Sequence, residues 1–244
     1  NYSKEDKKFP ITKGNFEMTL RSRYFSVICL SMFSVSCSGQ KSDAAVNVMH
    51  DKLPIHSEDI RNAYSAVRQP LTFEAGQTVR SCDEYLESME SSEVLAVSSE
   101  RRVEKEYQSC EGLKRLLNAS EQNIEIKRLI SQREKFSSGL CSQLDLSTFS
   151  HSLRPQMQEG VVTLNELFKT KPSNTPTCLY LDESMRFELI PVLQFSDKGT
   201  GEQYLIVWLT DEINNGSYID YQSLLVKMSN EGSWQAVDIW PRPL

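Results

Sequence analysis

Phe187-Glu-Leu-Ile-Pro-Val-Leu-Gln-Phe195 and, a short turn later, Tyr204-Leu-Ile-Val-Trp-Leu209 decide the reading of the fold. In the first, Phe187, Leu189, Leu193 and Phe195 alternate with Arg186, Glu188 and Gln194, the two-residue period of a strand. The second is apolar throughout. Tyr218 to Met228, which alternates in part, and Trp234 to Trp240 complete a run of strand-like segments. Between them stand Ser196-Asp-Lys-Gly-Thr-Gly201, Asn214-Asn-Gly216 and Ser229-Asn-Glu-Gly232, each rich in residues that tolerate positive φ. Consecutive strands with such short connections predict a four-stranded antiparallel meander over 177–240. Pro191 removes a ladder donor, so its strand is expected at an edge or bulged at that point. The apolar face of such a sheet needs a cover, and the segment before it can provide one.

That segment, 57–170, has a helical period. Ser57 followed by Glu58 and Asp59 is a helix start, with an N-cap oxygen and acidic residues near the positive end of the dipole. Ser81 with Glu84 forms a capping-box pattern, and Cys82, Tyr85, Leu86 and Met89 then fall on one face. Val103, Tyr107, Cys110, Leu113 and Leu117 form a second face, with Ser98-Ser99 as the break between the two. An antiparallel helical hairpin about that break would bring Cys82 and Cys110 level. A Cys82–Cys110 disulfide is therefore the preferred pairing, leaving Cys141 with Cys178, although four cysteines allow three pairings. Ser120 before Ile124, Ile126, Leu129 and Ile130 predicts a surface helix, and Asp145 before Leu146, Phe149 and Leu153 another. Val161, Val162, Leu164, Leu167 and Phe168 predict a last helix, ended by the breaker-rich Lys171-Pro-Ser-Asn-Thr-Pro176. The fold class expected is α+β: an N-terminal helical hairpin region followed by a four-stranded antiparallel meander, stapled by disulfides.

Upstream, Arg21 and Arg23 precede the uncharged run Tyr24-Phe-Ser-Val-Ile-Cys-Leu-Ser-Met-Phe-Ser-Val35. A helix of that length rises roughly 18 Å, well short of a ~30 Å hydrocarbon core, so the run reads as the apolar part of a secretory signal. Ser34, Ser36 and Cys37 follow, then the polar Ser38-Gly-Gln-Lys-Ser42. From Met18 to about Gly39 this order resembles the signal peptide of bacterial lipoproteins, with Ser34 standing where that family usually has an aliphatic residue. The resemblance implies that Cys37 is acylated and becomes the mature N-terminus, and Ser38 after it implies the outer rather than the inner membrane. An ordinary secretory signal cut near Ser36 and a buried core segment are the competing readings. Residues 1–17, of mixed charge, read as an upstream extension before a start at Met18; 18–36 as the signal; and 37–56 as a polar tether. Cys29 leaves with the signal, and lipid on Cys37 leaves four cysteines, an even set suited to two disulfides in an oxidising compartment.

The full chain has 39% hydrophobic and 25% charged residues among 244, which argues against wholesale disorder and a many-span membrane protein. A formal charge of -6 provides no field for phosphate backbones, so no nucleic-acid partner is expected. His50, Asp51, His56, Glu58 and Asp59 match no metal-ligand spacing and read as linker and helix start. Ser147 and His151 near Asp145 read as cap and surface residues, because a hydrolase triad draws its members from separate elements. No phosphate-binding Gly loop, Ser elbow or Cys-x-x-Cys pair is present in the sequence, so neither a cofactor nor a catalytic set is expected. Trp208, Tyr218, Tyr221, Trp234 and Trp240 are candidates for a sugar or lipid pocket. The closing stretch Leu225 to Ile239 is similar to the last hairpin of nuclear-transport-factor-2-like domains, and that resemblance implies a curved sheet with a pocket against helices.

Two functions follow as expectations. The first is a noncatalytic lipoprotein in the bacterial envelope, facing the periplasm or the cell surface, with the membrane held through its anchor and an envelope protein as partner. The second is a small-ligand or enzymatic pocket of the nuclear-transport-factor-2-like kind. Under eukaryotic secretion, Asn118-Ala-Ser120 and Asn215-Gly-Ser217 would be glycosylation acceptors.

Overall fold

A strand that is apolar at every position needs cover on both of its faces, and the chain provides it. The computed structural model describes residues 45–157, 159–168, 176–214, 216, 218–230 and 232–240. The leader 18–36, Cys37, the extension 1–17 and the side chain of Trp240 lie outside the described residues. Four long strands form the centre: β7 (Met185–Ser196), β8 (Gln203–Ile213), β9 (Ile219–Met228) and β10 (Trp234–Trp240). They pair antiparallel in sequence order.

The expected four-stranded meander is not the whole sheet, and this corrects the fold class. The meander is the middle of an eight-stranded mixed sheet. β1 (Ala45–Val48) pairs antiparallel with β7, and β4 (Glu125–Arg128) pairs parallel with β1. At the opposite side β5 (Leu144–Asp145) pairs parallel with β10, while β6 (Cys178–Leu181) joins β7 beside β1. β1 falls in the stretch read as tether, and β4 replaces the surface helix expected around Ile126. The reason is physical: strands of two to four residues are too short to show a period, and a parallel partner comes from far along the chain.

The helices are also not one hairpin. They are α1 (Ser57–Ser65), α2 (Cys82–Ser88), α3 (Ser98–Glu104), α4 (Ser109–Glu121), α5 (Arg133–Gln143) and α6 (Leu164–Phe168). A small hairpin of β2 (Leu71–Thr72) and β3 (Thr78–Val79) lies between α1 and α2. Ser98-Ser99 opens α3 rather than breaking a hairpin, and a bridge between Phe73 and Val94 occupies the chain before it. The capping box is formed: Ser81 Oγ accepts from the Glu84 amide at 3.3 Å, and Glu84 Oε2 accepts from the Ser81 amide at 3.2 Å. Ser57 is the first helical residue rather than the cap, and its hydroxyl bonds to that of Ser120 at 2.6 Å.

Side chains of alternate sign in the register go to opposite faces. Leu205, Val207 and Leu209 of β8 join Leu224 and Val226 of β9 in a cluster with Phe136 and Leu140 of α5 and with Leu146, Phe149, Leu153 and Leu164. Ile206 and Trp208 point the other way, into a cluster with Ile60 and Tyr64 of α1, Tyr85 of α2 and Leu113 and Leu116 of α4. Three layers result, helix on sheet on helix. Pro191 lies inside the sheet, and the register shifts between it and Leu193, which is the bulge its missing donor demands.

Two disulfides are present. Cys82–Cys110 joins the first turns of α2 and α4, with Cα atoms 5.1 Å apart. Cys141–Cys178 ties α5 to β6, at 5.5 Å. No helix among the described residues is long and apolar enough to cross a membrane.

Candidate functional site

The aromatic residues named from the sequence do not share a cavity. Trp208 is buried on the α1–α4 side, its ring 4.6 Å from that of His50. Tyr221 is buried opposite Thr210, donating its hydroxyl to Glu212, with the Lys105 ammonium 4.8 Å from its ring centroid. Tyr218 is exposed at the sheet's end. Trp234 lies against a groove, on the α5 side.

That groove has a volume of about 490 Å³ and runs between α5 and the sheet. Its position follows from one glycine. Gly139, on the inner side of α5, has no Cβ, and the Trp234 ring fills the place one would take, with Cη2 2.4 Å from it. The indole is held there by its Nε1–H, which donates to the Ser229 carbonyl at 3.3 Å, and by the pairing of Trp234 with Leu144. α5 is fixed from above by the Cys141–Cys178 disulfide and by Ser137 Oγ, which donates to the Pro176 carbonyl at 2.7 Å.

The floor is a row of amides across three strands. Asn47 Nδ2 of β1 donates to Gln194 Oε1 of β7 at 3.0 Å, and Gln194 Nε2 donates to Gln203 Oε1 of β8 at 3.1 Å. Gln203 Nε2 donates in turn to Ser196 Oγ at 2.6 Å. Gln194 and Gln203 line the groove together with Phe136, Met228 and Trp234. Ser138, Ser142 and Gln143 stand exposed along the α5 wall, and among the described residues Lys135 is the one ionisable side chain of the lining. Sequence reasoning named Trp234 and missed these glutamines, because an amide belongs to no catalytic or ligand pattern and signals nothing by spacing.

Groups with shifted protonation lie elsewhere. Asp211 is fully buried and accepts from the Ser152 amide at 2.7 Å and hydroxyl at 2.5 Å; burial raises its carboxyl. The Tyr218 hydroxyl, with one proton to give, is 3.3 Å from Asp211 Oδ2 and 3.5 Å from Asp220 Oδ2, and burial raises Asp220 as well. Glu104 is fully enclosed under α3 and paired with Arg101 at 3.0 Å; burial pushes it up to about 7 against the pull of that guanidinium. Burial, aided by the Arg133 charge, lowers His50 to about 4 and keeps it neutral. His151 is buried with Nε2 2.9 Å from the Leu146 carbonyl, and Ser147 Oγ donates to Asp145 at 2.6 Å, so the two do not form a nucleophile and base. None of these groups lines the groove. Among the described residues no cluster of His, Cys, Asp and Glu could hold a metal ion.

The groove therefore offers oriented amide and hydroxyl groups, with the Lys135 ammonium at its wall, on a partly aromatic floor, an arrangement suited to holding a polar molecule. No family model, curated protein or solved structure matches this chain.

Proposed function

We propose that this chain is an exported, noncatalytic binding protein of a bacterial envelope, held at the outer membrane by lipid on Cys37. The observation that carries this reading is the pair of disulfides, since such bonds persist outside the reducing cytosol. They use four of the cysteines downstream of the leader and leave Cys37 as the one thiol available for acylation. The basic pair, short apolar run and Ser-Cys order before it support the same reading. Binding falls to the groove beside α5, whose floor amides are neutral and fixed by their mutual bonds, and its partner is a component of the envelope.

Metabolic labelling with a fatty acid tests the anchor. The wild type takes up label and partitions with membranes, and the Cys37→Ala variant does neither. Equal labelling of both, or recovery of the uncut chain from the cytoplasm with free thiols at Cys82 and Cys141, would overturn the assignment.

A further inference from the structure

We infer that the groove between α5 and the sheet is a binding site for a neutral saccharide, a deepening that rests on the binding role proposed above. The inference comes from the hydrogen-bonding capacity left over on its floor. Gln194 spends one N–H on Gln203 and one lone pair on Asn47; Gln203 spends one N–H on Ser196 and one lone pair on Gln194. A primary amide has two of each, so both side chains keep one donor and one acceptor. Their mutual bonds fix which end of each amide is nitrogen and which is oxygen, so the remaining capacity is oriented before a ligand arrives. A hydroxyl is itself both donor and acceptor. A ligand carrying several hydroxyls on a ring matches a row of such amides, with Gln143, Ser138 and Ser142 supplying the facing wall.

Charge and apolar surface narrow the class. Among the described residues of the lining, a single ammonium, Lys135, with no second cation beside it, is a poor receptor for a phosphorylated or carboxylated ligand, and none of them brings a carboxylate for a cation. An acyl chain would strand the amides, at about 1–3 kcal/mol for each buried group left unpaired. Phe136, Met228 and Trp234 provide the apolar remainder, and the C–H faces of a sugar ring are the complement that a neutral polar ligand can bring to them. At about 490 Å³ the groove is within the range of small-molecule sites.

The test is titration of the isotope-labelled full chain with chitotriose, maltotriose and cellotriose, followed by amide and indole shifts. At least one sugar is expected to move resonances of 135–143, Gln194, Gln203 and the Trp234 indole in a saturable way. Gln143→Ala, an exposed change on the helix wall, should weaken it about three- to tenfold, the loss of one neutral hydrogen bond. Gln194→Leu with Gln203→Leu should abolish it, and the unchanged dispersion of the remaining resonances reports that this variant is folded. Lys135→Ala should leave affinity within twofold. Absence of groove shifts with all three sugars, shifts confined to another surface, or strong dependence on Lys135 would each overturn the inference. Fatty-acid labelling reads the anchor independently, so a saccharide-free groove would leave the lipoprotein reading standing, and the reverse holds too.

Discussion

Replacing Gly139 with alanine sets two known magnitudes against each other. In the interior of an exposed helix the change gains about 1 kcal/mol, because glycine is a poor helix former. Here the new methyl would lie 2.4 Å from Trp234 Cη2 and 2.9 Å from Cζ3, closer than a methyl carbon approaches a ring. Relief requires the indole to swing or α5 to lift. The indole is held at Ser229 and within β10, and α5 is held two residues later by Cys141–Cys178. Overpacking of this kind costs about 1–3 kcal/mol and exceeds the propensity gain, so a net loss of about 1–2 kcal/mol is expected. For a body of this size that lowers Tm by about 2–8 °C. Urea unfolding followed by far-ultraviolet circular dichroism measures it without reliance on the displaced tryptophan. In a Trp234→Ala background the sign should reverse, with Gly139→Ala stabilising by up to ~1 kcal/mol. A Gly139→Ala protein as stable as wild type, or one showing no coupling to Trp234, would refute the packing that places the groove.

Trp234→Ala by itself should cost about 3–5 kcal/mol, given a ring that is 8% exposed; a loss under ~1 kcal/mol by the same assay would place it on the surface. Glu104→Gln should change the pH dependence of stability. The folded protein holds the Glu104 proton up to about 7 against an ordinary 4.5, so the wild type's stability relative to the variant is highest below pH 4.5. It falls as pH rises through about 7, by roughly 3 kcal/mol in all, and parallel wild-type and variant profiles would show that the carboxyl is not buried as described. Cys141→Ser with Cys178→Ser opens a loop of 37 residues and should lower stability by about 3–4 kcal/mol in the chain-entropy account, read as a shift in the urea midpoint. An unchanged midpoint would mean that the bridge does not constrain the unfolded chain.

Several features were legible because they depend on neighbours in sequence. The Ser81–Glu84 box forms as read, since a capping motif closes over three residues. The long strands β7 to β10 appear where alternation, apolar runs and Gly-rich turns set them, and Pro191 marks its own bulge. The groove was only partly legible. Trp234 announces itself by size, and Gln194 and Gln203 meet across the β7–β8 hairpin that the turn at 196–201 sets, but Asn47 joins them only when β1 is added beside β7, a pairing no local pattern foretells.

From the residues alone come the export signal as an expectation, the cysteine count, the central strands and the places where helices begin. The tertiary structure alone decided that the sheet has eight strands, that both its faces are covered and that the aromatics part company across it. Periodicity reports which side of an element is apolar within a few residues, whereas partner choice is made between segments as distant as Ala45 and Glu125, where the surface left to bury settles the outcome.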